Sequence, residues 1–365
     1  MFGFIFFYSL LYLLFQSYLL LSIKNAFLLQ GKTLFYIGGF LVLAMYFPLL
    51  QRIFLHIEMP SLSLFFHIAG YFSMVFSFLF PFFHILTFLL TKISGFHSPQ
   101  RTFYLSMTLL SLFILYGSIE KDMVTIKKHS IDLFPGQKTK KIRITQISDV
   151  HIDMLRNKNF LKKVKDMTSS TDPDIVVATG DILDGLTGGD DIISGLLKDI
   201  KATTGKYAVI GNHEVYSDLD RNIKILTNGG FKILRQETVE PIPGLIIGGV
   251  DDPAVNGRNK RSINSYKDIF KGLEKKENAL ILLKHQPVPY IHERKPHLQL
   301  SGHTHGGQVF PFGYFVYLRY GYVKGMYKLA EDFYFYISPG TGTWGPPIRV
   351  LSRPEISVFD ITIPR

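Results

Sequence analysis

Apolar residues are segregated along this 365-residue chain: Met1 to Tyr116 is dominated by Phe, Leu, Ile and Tyr, and nearly every charged residue lies after Ile119. A helix needs about 20 apolar residues to cross a hydrocarbon core. The first third offers four such stretches, Phe2 to Ile23, Thr33 to Leu50, Ser63 to Thr91 and Phe103 to Ile119. They predict an N-terminal transmembrane α-helical segment of about four spans over residues 1–119. The first stretch has neither a basic leader nor a small-residue cleavage pattern, so it reads as a retained span. Pro81 inside the long third stretch predicts a tilt, a kink or an interfacial end. His67 and His84 lie near opposite ends of that stretch and are read as reaching headgroups, in preference to forming an intramembrane relay.

The absence of cysteine removes disulfides, thiolate ligands and thiol nucleophiles from consideration. A net charge of +11 is compatible with nucleic acid. The basic residues, however, do not alternate with aromatics along one stripe, so no nucleic-acid partner is expected. Anionic membrane lipids or a phosphorylated substrate are the expected partners. With four spans both ends of the helical segment lie on one side. The cluster Lys121, Lys127, Lys128, Lys138, Lys140, Lys141 and Arg143 outweighs Lys24, Lys32, Lys92 and Arg101 in the other loops, which predicts a cytoplasmic location for the C-terminal two thirds of the chain.

Residues 120–140 read as a linker. From Lys141 to Arg365 the pattern turns to short β-rich runs separated by helical or loop segments, an α/β domain. The runs are Ile142 to Ser148, Asp174 to Gly180, Lys206 to Gly211, Leu245 to Val250, Ala279 to Lys284, Leu298 to Ser301, Phe333 to Ser338 and Glu355 to Ile363. Helices are predicted over Asn159 to Ser169 and Asp190 to Lys201. Metal-binding residue types stand where the apolar runs stop: Asp149 and His151, Asp181 and Asp184, Asn212 and His213, His285, then His303 and His305. Ligand sites in α/β sheets gather beyond the carboxyl ends of strands. Mixed imidazole and carboxylate donors suit Mn, Fe or Zn better than Mg or Ca. Two such ions about 3.5 to 4 Å apart can polarise a phosphoryl oxygen and activate water for in-line attack.

The ordered segments Asp149-Val150-His151, Gly180-Asp181-Ile182-Leu183-Asp184, Gly211-Asn212-His213-Glu214, His285 and Gly302-His303-Thr304-His305 resemble the calcineurin-like metallophosphoesterase superfamily. The resemblance covers about Lys141 to Arg365 and implies an αββα sandwich of two mixed sheets. It also implies two divalent metal ions, with Asp149, His151 and His305 on the first, Asn212, His285 and His303 on the second, and Asp181 between them. His213 then faces the leaving group as proton donor, oriented by Asp184. Glu214, His292 and His297 read as solvated or packing residues.

The phosphoprotein phosphatases of that superfamily carry Arg where Gly185 stands, so a phosphoprotein substrate is not expected. The tail, from Gly306-Gly307-Gln308 to Arg353-Pro354-Glu355, resembles a membrane-associated bacterial branch that includes UDP-2,3-diacylglucosamine pyrophosphohydrolases. That implies a bacterial inner-membrane location and a lipid-linked substrate. Arg258 and Arg349 are the candidate substrate contacts. The aromatic run Phe310 to Tyr327 reads either as a hairpin at a membrane surface or as packing on the sheet. Two other functions compete: hydrolysis of soluble nucleotides with the spans as a mere anchor, and a non-catalytic membrane sensor or scaffold.

Overall fold

The computed structural model describes residues 2–153, 158–185, 189–257, 268–273 and 278–365. It divides into two compact units, one of residues 1–118 with 345–347 and one of residues 119–344 with 348–365.

The first unit is helical: α1 (Phe2–Phe27), α2 (Gly31–Ala44), α3 (Phe47–His56), α4 (Pro60–Ile93) and α5 (Pro99–Glu120). Three helices are long and apolar enough to cross a membrane, Ser9–Phe27, Pro60–Ile93 and Pro99–Glu120. The stretch Thr33 to Leu50, expected as one span, is bent by 54° between α2 and α3, so the described residues offer three spans, or four where this bent pair is one. Pro48 in the first turn of α3 accounts for the break, because its ring restricts the preceding backbone and supplies no N–H. Pro81 does not interrupt α4, whose 34 residues extend about 50 Å, well beyond a 30 Å hydrocarbon core. His84 has a partner within the helical unit, its Nδ1 lying 2.9 Å from the Tyr18 hydroxyl on α1.

The second unit holds two six-stranded sheets. The first contains β1 (Thr125–Ile131), β2 (Thr139–Ile147), β3 (Ile175–Thr179), β4 (Gly205–Val209), β5 (Lys232–Ile233) and β12 (Glu355–Pro364), in the order β1-β12-β2-β3-β4-β5. The second contains β6 (Glu237–Ile242), β7 (Leu245–Gly249), β8 (Ala279–Leu283), β9 (Leu298–Ser301), β10 (Gly325–Ala330) and β11 (Phe333–Ile337), in the order β10-β11-β9-β8-β7-β6. Strand β3 shows why the apolar runs are continuous. Ile175 and Val177 enter the core between the sheets, while Val176 and Ala178 face the layer formed by α6 (Lys158–Ser169), α7 (Asp190–Lys198) and α9 (Leu219–Asn228). On the outer face of the second sheet the described residues Phe270 and Tyr290 pack on Leu280 and Leu282.

Residues 120–140 are not only a linker. They contain β1, which pairs in parallel with β12 from Thr125 to Ile131. Its register is set by the far end of the chain, and its Lys127 and Lys128 are typical of a protected sheet edge. The aromatic run is not a hairpin either: it forms α10 (Gly313–Tyr320), a helix with no buried residue, before β10 begins.

Strands β2, β3 and β4 are mutually parallel, as are β7, β8, β9 and β11. Five carboxyl ends, those of β2, β3, β4, β8 and β9, lead directly into the segments that carry the candidate ligands.

Candidate metal centre

Pairing continues past the ends of β2 and β3. The amides of Asp149, His151 and Ile152 donate to the carbonyls of Gly180, Asp181 and Ile182, each at 3.0 Å. To keep these bonds while turning side chains inward, the backbone enters the left-handed region at Asp149, His151, Asp181, His303 and His305, with φ between 50° and 71°. Residues with a Cβ rarely adopt it, so conformational cost is concentrated where the side chains converge. Two glycines make room. A Cβ on Gly211 would lie 2.2 Å from Asp181 Oδ1, and one on Gly302 would lie 2.2 Å from Asp149 Oδ2.

Two clusters result. In one, His151 Nε2 and His305 Nε2 are 3.0 Å apart, and Asp149 Oδ1 is 3.6 Å from His305 Nε2. In the other, His285 Nε2 lies 3.0 Å from Asp181 Oδ2, 3.2 Å from Asn212 Oδ1 and 3.2 Å from His303 Nδ1. Asp181 Oδ2 also lies 3.8 Å from His151 Nε2, so one oxygen faces both clusters, while Asp181 Oδ1 accepts the amide of His213 at 2.8 Å.

The tautomers are fixed from behind. His285 Nδ1 donates to the Thr179 carbonyl at 2.8 Å, and His151 Nδ1 donates to Asp184 Oδ2 at 3.1 Å. In the neutral rings of His151 and His285 each Nε2 presents a lone pair toward carboxylate and amide oxygens; burial lowers the His285 pKa, but Asp181 raises it well above its usual value, so positive charge is drawn to this point. Buried polar atoms are ordinarily matched donor to acceptor; acceptors gathered about 3 Å apart are matched by a cation. The donor set fits divalent ions that accept both nitrogen and oxygen ligands. Asp149, His151 and His305 could hold one, and Asp181, Asn212, His285 and His303 another.

Charges respond to this crowding. For Asp181, burial raises the pKa, but His285 outweighs it and the carboxyl is held well below its usual range. Burial depresses His303 to about 3, aided by the charge of His285. Burial also lowers His213, yet the hydrogen bond to Asp184 prevails and the imidazole ends above its usual value. His213 Nδ1 is 2.7 Å from Asp184 Oδ1, so Asp184 carries His213 on one oxygen and His151 on the other. Next to His213 stand the exposed rings of Tyr216 and Trp344, with centroids at 5.7 and 5.8 Å.

All seven candidate ligands and the pair His213 and Asp184 thus meet in one place. The candidate substrate contacts do not join them. Arg258 lies outside the described residues. Arg349 is fully buried, donates to the carbonyls of Gly342, Ser352 and His305, and approaches His305 Nδ1 at 3.2 Å. With its guanidinium spent on backbone oxygens it positions the His305 segment and cannot receive a substrate phosphate.

Glu214, expected to be solvated or to serve packing, has a sharper role. It is fully buried, and its carboxylate accepts four amides, from Gly211 and Asp181 at 2.9 Å, Ile182 at 2.7 Å and Leu183 at 3.0 Å. It stitches the segment bearing Asp181 to the one bearing Asn212. The signal was present: Glu214 is the third residue after Gly211, the spacing at which a side chain reaches back to cap a helix. His297 is buried, and its Nδ1 accepts the Leu280 amide at 3.0 Å, in keeping with packing.

A family model for calcineurin-like phosphoesterases matches residues 142–307. An uncharacterised metallophosphoesterase of Aquifex aeolicus is 34% identical over 253 residues, covering 67% of this chain and 95% of that protein. An uncharacterised metallophosphoesterase of Campylobacter jejuni is 33% identical over 273 residues, 71% of this chain and 69% of that one. A transmembrane protein with a metallophosphoesterase domain from Danio rerio is 31% identical over 231 residues, 59% and 52% of the two chains.

Proposed function

Because this chain belongs to the calcineurin-like metallophosphoesterase family, we propose that it is a membrane-anchored hydrolase that uses two divalent cations, Mn, Fe or Zn, to cleave a phosphodiester or pyrophosphate bond in a lipid-linked substrate. UDP-2,3-diacylglucosamine is one substrate of this type. The observation that carries the reading is the single oxygen Asp181 Oδ2, which faces His285 on one side and His151 on the other. The apolar helices support the lipid-linked part, since they hold the hydrolase where such substrates reside. The proposed setting is a bacterial inner membrane with the hydrolase on the cytoplasmic side.

When bound, the cations withdraw charge from the phosphoryl oxygens and make an attacking water more acidic. The chain's own residues supply position and a proton. Asp181, fixed through Oδ1 by the His213 amide, keeps Oδ2 between the two clusters. His213 gives a proton to the departing oxygen, and Asp184 both orients that imidazole and stabilises its charged form. Such assistance contributes about 10² to 10⁴ in rate.

His213→Ala tests the assignment. Its kcat should fall by about 10² to 10⁴ on a poor alkoxide leaving group with metal content retained. The loss should shrink on p-nitrophenyl esters, whose leaving group needs no proton. Equal losses on both substrates would remove His213 from the role of acid. The pH profile adds a sign. Because the hydrogen bond to Asp184 raises the pKa of His213 against the lowering effect of burial, the donor form is fully present below the ordinary value of 6.5 and is lost as pH climbs through the raised value. The rate therefore falls on the alkaline side, and Asp184→Asn should move that limb to lower pH.

A further inference from the structure

Beside the cluster at His305 lies a cavity of about 450 Å³ whose wall is almost wholly apolar, and the assigned residues take no part in it. Gly306, the neighbour of His305, forms one side, and Val350, the neighbour of Arg349, another; Phe310, Gly313, Tyr317 and Leu351 are among the other residues that line it. Helix α10 supplies the outer wall and buries none of its eight residues. Tyr314 is 66% exposed and Leu318 79% exposed. Large apolar side chains this exposed around a helix are out of place against water and suited to an acyl interface.

The position of the cavity says what comes to it. Glu120, the last residue of the apolar helix α5, is buried in the catalytic unit, where its carboxylate accepts the amide of Leu351 at 3.0 Å. Glu120 is the second residue of the catalytic unit, so the chain that follows the apolar helix enters this unit beside the cavity wall at Leu351, and another side of the wall adjoins the candidate ligand His305. We propose that this cavity receives an acyl chain of the substrate lipid, holding it while the phosphate lies on the metal centre. The assignment rests on the phosphoesterase reading and makes it more specific: substrate choice is set by an apolar tail seated next to His305.

The test uses the full chain in phosphatidylcholine nanodiscs, loaded with Mn, and a series of methyl, butyl, hexyl, octyl and decyl p-nitrophenyl phosphates. Each methylene withdrawn from water is worth about fourfold in affinity. For the wild type, KM should fall steeply with chain length until the cavity is full, while kcat stays level. Two variants address the wall. Tyr317→Ser removes apolar surface at an exposed position, and Gly313→Phe fills the space. A Cβ at Gly313 meets nothing closer than 3.6 Å, so that site tolerates a side chain. In both variants the ratio of methyl to decyl KM should collapse by at least tenfold relative to wild type. Partition into the nanodisc is common to all three proteins, so a ratio that stays the same in both variants would mean that the bilayer alone discriminates, and the cavity assignment fails. Hydrolysis of every ester with no length dependence in the wild type sinks the cavity but leaves the phosphoesterase reading. No hydrolysis of any ester sinks both.

Discussion

Two regions of this molecule, the seam between α4 and α5 and the candidate metal centre, bury polar side chains in opposite ways. Between α4 and α5 the buried hydroxyls of Thr87, Thr91, Thr102 and Ser106 have found complementary neighbours. Thr87 Oγ1 lies 2.6 Å from Ser106 Oγ, Thr91 Oγ1 lies 3.1 Å from Thr102 Oγ1, and Thr87 and Thr91 also return a bond to their own helix, at Phe83 O and Thr87 O. In the catalytic unit imidazole nitrogens and carboxylate oxygens face one another with lone pairs on both sides. The first pattern holds helices together, and the second is stable only around positive charge. Polarity in a core therefore does not mark function; a mismatch between donors and acceptors does.

The sharpest way to break this contrast is to remove the shared acceptor. Asp181→Asn replaces the oxygen common to both clusters with a group that carries no charge. Hydrolysis of p-nitrophenyl methyl phosphate should drop by more than about 10⁴, beyond the range of a lost general acid. Metal analysis of the purified variant should show depletion. Retention of both ions with activity within tenfold of wild type would mean that the facing lone pairs are a coincidence of packing.

A smaller effect separates holding the ligands from being one. Glu214→Gln keeps shape and burial but exchanges one acceptor oxygen for an NH₂ group. Each carboxylate oxygen serves two amides, Gly211 and Asp181 on Oε2, Ile182 and Leu183 on Oε1. Two backbone donors would lose their acceptor, at about 1 to 3 kcal/mol each. Metal affinity should weaken about 10- to 100-fold, the usual size for a group that acts through a ligand. The kcat at saturating metal should largely recover. A kcat that stays low at saturating metal would place Glu214 in the reaction itself.

Legibility in the amino-acid sequence divides along the same line. The clustering of the candidate ligands was legible because they stand just after apolar runs, where a strand must stop, and eight of the strands announced themselves as such runs. Strand β1 did not, because Thr125–Ile131 pairs with a segment more than 200 residues away and has little apolar character of its own. Arg349 was misread because a guanidinium near a phosphate site suggests a phosphate contact. Its true partners are backbone carbonyls, and backbone geometry leaves no mark on the side-chain alphabet. The left-handed conformations at Asp149, His151, Asp181, His303 and His305 were invisible for the same reason, since nothing in the identity of Asp or His requires them. The bend between α2 and α3 lay in plain view at Pro48, but a hydropathy window averages across a proline. Helix α10 shows the opposite limit: its aromatic composition was plain, yet only the fold reveals that none of it is buried.

The helical unit offers the mildest test, and it guards the contrast from the other side. Thr87→Val removes the hydroxyl shared with Ser106 while keeping the β-branched shape. Interhelical hydrogen bonds in membranes average about 0.6 kcal/mol, because the separated helices find other partners for the same groups. A double-mutant cycle with Ser106→Ala, read from unfolding in mixed detergent micelles, should return a coupling of that size. Hydrolysis of p-nitrophenyl methyl phosphate should stay at the wild-type rate in both single variants and in the double variant. A coupling of several kcal/mol, or a loss of turnover on removing one methyl-sized hydroxyl between α4 and α5, would show that these satisfied pairs do more than join helices. Satisfaction of hydrogen bonds would then no longer separate structural from functional polarity in this chain.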